Sequence, residues 1–320
     1  MRAKLEDVCE RGSSNLRQSD VEGKNGDYPI YGASGYIGNV DFYHQESSYV
    51  AVVKDGAGVG RTTLLPAKSS VIGTMQYLLP KKDVLPEYLY YVVRHMHLEK
   101  YFSGATIPHI YFRDYKNEEF NIEPVERQSE IVSVLRKLET VISTRQKQLQ
   151  KLDDLVNARF VELFGDPEKN TLSWKEEELS EHLTVIGGYA FKSKQFSEEG
   201  IPVLRIGNIN SGFFKPVNLV YWEDDNTLNR YKMYPGDLVM SLTGTVGKDD
   251  YGNVCILGND YDVYYLNQRN AKLELQDTIN KYYLSMLLKF EPVKKKLTGI
   301  SRGVRQANIS NKDILNLMVP

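Results

Sequence analysis

The sequence predicts an α+β fold in which two related domains, each a twisted and mainly antiparallel sheet with short helices, are joined by a long coiled-coil-type helix. Three observations in this chain of 320 residues lead to the prediction. A central segment lacks glycine and proline, the flanking segments alternate between strand-like runs and turns, and the two flanks share landmarks in the same order. We therefore predict domains at residues 1–122 and 166–320, with the helix at 123–165.

The central helix is predicted from its boundaries. Residues 127–163 contain neither glycine nor proline, whereas Pro124 precedes them and Gly165 and Pro167 follow. Proline at the start and glycine just past the end are typical helix boundary signals. At 1.5 Å per residue the helix would be about 55 Å long. This length and its central position favour a spacer between the domains over a helix packed on its own domain.

The same helix carries a heptad pattern that predicts a coiled-coil seam. Steps of four and three residues alternately meet ten positions, eight of them apolar. The apolar seam residues are Ile131, Leu135, Leu138, Ile142, Leu149, Leu152, Val156 and Leu163. Arg145 and Arg159 occupy the other two positions, and we expect their side chains to reach out toward water. Such a seam calls for another helix along its length.

The flanks resemble each other in the order of their landmarks. The run YPIY at 28–31 corresponds to IPVL at 201–204, and VAVVKDGAGVGR corresponds to DLVMSLTGTVGK. Two short helices are predicted next, at LPEYLYYVV (85–93) and INKYYLSMLL (279–288). GATIPHI (104–110) then corresponds to GISRGVRQANI (299–309), and each half closes on a strand that leads to proline. These matches indicate a diverged duplication with loop insertions.

The stretch KDGAGVGRTT at 54–63 raises the question of a phosphate-binding loop. Both common glycine-rich loops require a glycine at position 61, five residues after Gly56, but that residue is Arg61. The residues that follow are β-branched and end in Pro66, so no helix is predicted there. A turn between two strands is therefore the favoured interpretation, and its recurrence in the second half supports it.

Composition excludes several classes of protein. The chain is 41% apolar and 26% charged, with a net charge of −2, so any basic surface must be local. Cys9 and Cys255 match no metal or disulfide spacing, which is typical of a reducing cytoplasm. No run approaches about 20 apolar residues, and the N-terminus lacks the apolar core of a signal peptide.

Residues 124–167 are similar to the central conserved helix of a known family. They read PVERQSEIVSVLRKLETVISTRQKQLQKLDDLVNARFVELFGDP, with a proline start, the Gln and Ile of an EQ-x-x-I opening, a leucine repeat and a closing Phe-Gly. Arg127 stands where the family usually has glutamate. YPIYGASGYIG, the glycine turn and IGNINSGFF resemble landmarks of its target recognition domains. The whole chain thus resembles the specificity subunits of type I restriction-modification systems.

The resemblance implies DNA recognition without catalysis, in a prokaryotic cytoplasm. Each target recognition domain would read one part of a bipartite target in double-stranded DNA, with the helix setting the gap. Two modification subunits would carry S-adenosylmethionine and methylate adenine, and restriction subunits would use ATP and Mg²⁺. No cofactor, metal or membrane is expected for this chain itself.

The resemblance departs from the family at the end of the sequence. In the family a second conserved helix follows the second domain and pairs with the first, whereas this sequence ends at Pro320, the counterpart of Pro124. The expectation is therefore that the central helix pairs with a second copy of the chain or with a separate fragment.

Candidate DNA-binding residues come from the loops that the duplication brings into register. Arginine pairs with guanine, and glutamine or asparagine with adenine, whereas lysine commonly holds phosphates. In the first half the candidates are Tyr31, Ser34, Lys54, Arg61, Thr106, His109 and Tyr111. In the second half they are Lys192, Lys194, Thr243, Lys248, Arg302, Arg305, Gln306 and Asn308. A hydrophilic surface loop is the alternative for any one of them, and for His109 a loop-anchoring role.

Two other functions stay open at this point. A DNA-modifying enzyme would need a methyl-donor loop, an Asn/Asp-Pro-Pro-Tyr/Phe tetrapeptide, a Walker loop or a metal cluster, and the sequence contains none that we recognise. A protein-interaction scaffold would use the long helix for binding and would show no preference for a DNA sequence.

Overall fold

The computed structural model describes residues 1–104, 108–209, 211–248, 250–299 and 306–320. The chain divides into two compact units, Met1–Gln148 and Leu149–Pro320, with the division inside the long helix. The boundaries predicted above separate the helix from both domains, and they stay a prediction.

The described residues of the first unit form nine strands and the beginning of the long helix. Its strands are β1 (Arg2–Lys4), β2 (Cys9–Ser13), β3 (Tyr28–Gly32), β4 (Gly35–Val40), β5 (Tyr49–Val53), β6 (Thr62–Leu65), β7 (Ser70–Val71), β8 (Met75–Pro80) and β9 (Glu119–Asn121). Its helices are α1 (Leu5–Val8), α2 (Gln18–Val21), α3 (Pro86–His95), α4 (Phe112–Tyr115) and α5 (Val125–Phe164), which continues into the second unit.

The second unit contributes the remaining elements that the structure describes. Its strands are β10 (Glu177–Glu178), β11 (Leu183–Gly187), β12 (Ile201–Leu204), β13 (Val220–Trp222), β14 (Lys232–Met233), β15 (Leu238–Ser241), β16 (Thr243–Thr245), β17 (Val254–Ile256), β18 (Tyr264–Leu266), β19 (Asn270–Leu275), β20 (Gln306–Asn308) and β21 (Met318–Val319). Its helices are α6 (Lys281–Lys289), α7 (Glu291–Thr298) and α8 (Asn311–Leu315).

Sheet order confirms the predicted duplication. The first unit has an antiparallel sheet in the order β2-β8-β5-β6, and the second has the same sheet as β11-β19-β15-β17. A smaller mixed sheet is β4-β3-β7 in the first unit and β13-β12-β18-β14 in the second. This sheet includes a parallel pair of strands in each unit, β3 with β7 in the first and β12 with β18 in the second. The fold is therefore the predicted α+β class, with mainly antiparallel sheets.

Each large sheet is covered on both faces, which explains why its central strand reads as an unbroken apolar run. In β5, Val50 and Val52 belong to a core with α3, whereas Ala51 and Val53 belong to a core with Tyr77 beneath the smaller sheet. Alternate residues of a strand point to opposite faces. Likewise β15 directs Leu238 and Met240 toward α6 and Val239 toward the smaller sheet of its own unit.

The predicted long helix is present as α5, a single element of 40 residues. Its first turn is fastened by the fully buried Gln128. The Gln128 amide donates hydrogen bonds to the carbonyls of Asp83 (2.9 Å) and Glu123 (2.8 Å), and its oxygen accepts one from the Leu85 backbone N–H (2.9 Å). All three hydrogen bonds of this buried amide go to backbone atoms, which explains why the helix motif opens with glutamine.

The heptad seam on α5 is largely open to solvent. Ile131 and Leu135 are half-buried, whereas the other six seam residues are 49% to 63% exposed. Those residues are Leu138, Ile142, Leu149, Leu152, Val156 and Leu163. In the second unit α5 is held instead by Phe160, whose ring stacks on Tyr283 at 5.7 Å. The seam's pairing with another helix stays a prediction.

Candidate nucleic-acid interface

In the first unit the glycine turn is an architectural turn, as predicted. It connects β5 to β6, which pair antiparallel, so no helix follows it. Gly60 has φ of +84°, and a Cβ there would lie 2.5 Å from the backbone nitrogen of Glu99. Only glycine fits a left-handed residue in such close contact with another backbone. Close packing against the Glu99 backbone therefore accounts for the glycine at position 60.

This turn and the segment that carries His109 are joined by backbone hydrogen bonds. The Ile110 N–H donates to the Lys54 carbonyl at 2.9 Å, and the Gly56 N–H donates to the Pro108 carbonyl at 2.9 Å. His109 exchanges two backbone hydrogen bonds with Ser103, at 2.9 and 3.0 Å. These bonds fix the backbone of the loop, and the imidazole ring of His109 lies against the Tyr111 ring, with centroids 4.8 Å apart. The two roles predicted for the His109 side chain stay predictions.

The side chain of Arg61 connects the glycine turn to the residues that follow β3. Its guanidinium donates a hydrogen bond of 3.1 Å to the carbonyl of Ala33, which precedes the exposed Ser34. Tyr31 lies half-buried in β3, and burial raises the pKa of its phenol. Lys54 lies 3.9 Å from the carboxylate of Asp55. Six of the seven first-unit candidates thus lie on neighbouring segments, and the seventh, Thr106, lies outside the described residues.

In the second unit the corresponding turn is built differently. Its first residues form β16, which pairs with β20 so that Thr243 faces Asn308 and Thr245 faces Gln306. The Thr243 hydroxyl donates a hydrogen bond of 3.0 Å to the Asn308 side-chain oxygen. Gln306 and Asn308 are exposed, so this strand pair presents two amide side chains.

Lys248 closes that turn, because its N–H donates to the Thr245 carbonyl at 3.0 Å. The Asp250 carboxylate accepts hydrogen bonds from the Thr245 N–H (2.8 Å) and hydroxyl (2.9 Å), which hold the pKa of Asp250 below its usual value. The Lys248 side chain remains exposed. Arg302 and Arg305, the two arginines predicted to read bases, lie outside the described residues.

Lys192 and Lys194 lie in a short bulge that two aromatic residues fasten to the unit. Phe191 and Phe196 flank the bulge, and their rings lie 5.1 and 6.1 Å from the ring of Trp222. Both lysines are exposed. Exposed ammonium groups on an anchored loop are suited to contact phosphates.

The structure also reveals a polar connection that the sequence prediction missed. Asn267, Gln268 and Arg269 join β18 to β19 and line a cavity of about 480 Å³ with Phe191, Phe196 and Arg205. Gln268 and Arg269 are exposed. Nothing in the first half resembles these residues in type, so the comparison of repeats gave no signal for them.

Two negative findings concern the described part of the chain. It contains no group of three or more His, Cys, Asp or Glu side chains arranged to hold a metal ion. None of its helices combines the length and the apolar character that crossing a bilayer requires.

Comparison with known proteins identifies the family. The family described as "Type I restriction modification DNA specificity domain" matches twice, at residues 1–154 and 172–320. The chain belongs to this family. Two matched specificity domains agree with the duplicated sheets, and the predicted resemblance to type I specificity subunits is confirmed.

The chain is also similar to one specificity subunit in sequence and to one solved structure in fold. The type I restriction enzyme MjaVIII specificity subunit of Methanocaldococcus jannaschii is 27% identical over 297 residues, which cover 85% of this specificity chain and 68% of that protein. The crystal structure of the type I restriction-modification S subunit from M. genitalium matches with a TM-score of 0.59 and 15% identity. That match covers all of this chain and 83% of the other, and it supports the same overall fold.

Proposed function

We propose that this chain reads a two-part sequence in double-stranded DNA, with one specificity domain reading each part. The observation that carries the proposal is the duplication itself. Two copies of a DNA specificity domain share one sheet order, and each exposes polar side chains on the segments that follow the same strands. Two reading surfaces on one chain are suited to a target with two halves.

The candidate residues divide into two chemical roles. Lys54, Lys192, Lys194 and Lys248 are suited to phosphates, since an ammonium group is a point charge without sequence preference. Gln306 and Asn308 present amides, which pair with adenine through one donor and one acceptor. Protein–DNA complexes combine both roles, with phosphate contacts that fix the register and base contacts that select the sequence.

The partners we propose follow from the family and from α5. Two modification subunits would supply S-adenosylmethionine and the methyl transfer, and restriction subunits would supply ATP-driven cleavage with Mg²⁺. This chain would itself be non-catalytic and would act in the prokaryotic cytoplasm. The exposed apolar seam on α5 offers a helical partner a surface of the kind that coiled coils bury.

The experiment is to co-express the chain with the modification subunit from the same genome. Total DNA would then be sequenced at single-base resolution for methylated adenine. A methylated motif of two parts with a fixed gap is the expected result. A complex that forms without any sequence preference would instead favour a protein-interaction scaffold, and methylation by the isolated chain would favour an enzyme.

A further inference from the structure

The connection Asn267–Arg269 has a fixed backbone. The Gln268 N–H donates to the Tyr189 carbonyl at 2.9 Å, and the Leu242 N–H donates to the Arg269 carbonyl at 2.8 Å. The Asn270 N–H closes the turn on the Asn267 carbonyl at 2.9 Å. Three backbone hydrogen bonds on consecutive residues fix the main chain from which the side chains project.

The first unit has the same connection with the same three hydrogen bonds. The Gly73 N–H donates to Leu16 at 2.7 Å, the Lys54 N–H donates to Thr74 at 2.9 Å, and the Met75 N–H donates to Ile72 at 3.0 Å. The two connections therefore correspond residue by residue, as Ile72 to Asn267, Gly73 to Gln268 and Thr74 to Arg269.

The side chains at these corresponding positions differ completely. Ile72 is buried, and a Cβ on Gly73 would lie 3.2 Å from the carbonyl oxygen of Leu16. The Thr74 hydroxyl is buried without a hydrogen bond to the described residues. The first unit thus presents no long polar side chain here, whereas the second presents three polar side chains on an equivalent backbone.

The surroundings of Gln268 and Arg269 form a preorganised recess. Asn208 is buried and donates hydrogen bonds to the carbonyls of Lys215 (3.0 Å) and Val217 (2.9 Å), which fixes one wall. Asn270 donates a hydrogen bond of 2.7 Å to the Leu204 carbonyl, which ties β19 to the end of β12.

Within the residues that the structure describes, the side chains of Gln268 and Arg269 form no hydrogen bond or ion pair. Both are exposed, and they line the same cavity as Phe191 and Phe196, the residues that flank the Lys192–Lys194 bulge. The Arg269 carbonyl also accepts the hydrogen bond from Leu242, where the corresponding turn begins. An arginine fork beside a glutamine amide, both unpaired and both on a fixed backbone, matches what base-edge recognition requires.

We propose that Arg269 reads a guanine and Gln268 an adenine in the half of the target that the second domain binds. The guanidinium would donate two hydrogen bonds to guanine O6 and N7, and the Gln268 amide would pair with adenine N6 and N7. Lys192 and Lys194, on the bulge that Phe191 and Phe196 flank, would hold neighbouring phosphates. The inference rests on the proposed function and names specificity-determining residues for it.

The test uses the chain co-expressed with its modification subunit, and the methylated motif is mapped for each variant. Arg269→Ala and Gln268→Ala should each relax one position, with roughly a five- to 150-fold loss of discrimination there. The change should be confined to one half of the motif. Arg269→Lys should also relax its position, because an ammonium group cannot form the two parallel hydrogen bonds.

The outcomes separate this inference from the function on which it rests. If the unchanged chain gives a two-part motif and all three variants give the same motif, the roles proposed for Gln268 and Arg269 are overturned, whereas the proposed function stands. The role of Arg269 is also overturned if Arg269→Ala lowers methylation of all sequences equally and Arg269→Lys retains it, because that pattern marks a phosphate contact. No motif for the unchanged chain overturns both proposals. Lys296→Ala, an exposed lysine on α7, is the control and should leave the motif unchanged.

Discussion

Thr243 and Asn308 face each other across the β16–β20 pair, and the threonine hydroxyl donates a hydrogen bond of 3.0 Å to the asparagine side-chain oxygen. Thr243 is buried, whereas Asn308 is exposed. A buried hydroxyl therefore orients an exposed amide, whose NH₂ group forms no hydrogen bond among the described residues. That NH₂ group remains available to a ligand.

Replacing Thr243 by valine should loosen the Asn308 amide while keeping the shape of the core. We expect a loss of about 0.5–1.5 kcal/mol in the free energy of unfolding, because one hydrogen bond is removed. Discrimination should weaken at one position of the target. Thr243→Ser retains the hydroxyl and serves as the control. Motif mapping and thermal unfolding of both variants check the prediction, which fails if serine and valine have the same effect on the motif.

Lys192 and Lys194 should contribute affinity without sequence preference. Each change to alanine should weaken binding to all duplexes and reduce the slope of log Kobs against log salt by about one, since one counterion fewer is released. Fluorescence anisotropy at four or more salt concentrations gives the slopes. Lys296→Ala should leave the slope unchanged. An altered motif with an unaltered slope would assign these lysines to base reading instead.

Glu139 should stabilise the packing of α5 against α3 in the first unit. Its carboxylate accepts hydrogen bonds from Arg94 (2.7 Å) and from the Tyr91 hydroxyl (2.8 Å). Burial and this carboxylate raise the pKa of Tyr91 to about 12. Glu139→Gln removes the charge that pairs with Arg94, so the free energy of unfolding should fall. The loss should be only about 0.5–1 kcal/mol, because Arg94 and Glu139 are both about half exposed and water screens their attraction.

Denaturant unfolding followed by circular dichroism measures this loss. The matched control is Glu162→Gln, which removes only an exposed contact of 2.6 Å with Arg159 within the same helix. An equal effect of the two variants on the free energy of unfolding would mean that Glu139 adds nothing to the packing of α5.

Cys9 and Cys255 should be unreactive thiols in the folded protein. Burial raises the pKa of each to about 12 from a usual value of 9.0, and only the thiolate attacks a thiol reagent. Between pH 9 and 12 the folded chain therefore retains protons that the unfolded chain has released, so stability falls as the pH rises through this window.

An aromatic disulfide reagent checks this prediction. At pH 8 the folded chain should show no thiols within minutes, and the chain in denaturant should show two. Rapid reaction of the folded chain at pH 8 would contradict the burial of these side chains.

The sequence predicted the large features of the fold because those features depend on patterns. Glycine and proline mark the ends of α5, which the structure places at Val125 and Phe164. The repeated strands and the helices α3 and α6 follow from apolar runs that burial on both faces requires. The heptad pattern likewise located an apolar stripe on α5.

The candidate DNA-binding residues were harder to predict, since their arrangement depends on contacts between distant segments. Pairing of β16 with β20 places Thr243 opposite a residue 65 positions away, and no local pattern encodes that pairing. Gln268 and Arg269 were missed because Gly73 and Thr74 take their places in the first unit. A search for matching residues finds shared architecture, whereas residues that read different halves of a target are expected to differ.

If the two domains read two halves of one target at a fixed separation, a change in the gap between the halves should weaken binding. Once the motif is mapped, binding of the assembled complex is measured on duplexes whose gap is one base pair longer or shorter. One base pair rotates one half against the other by about 35°. We expect at least a tenfold loss of affinity for either change, because only one domain can then reach its bases. Equal affinity for all three gaps would contradict this expectation.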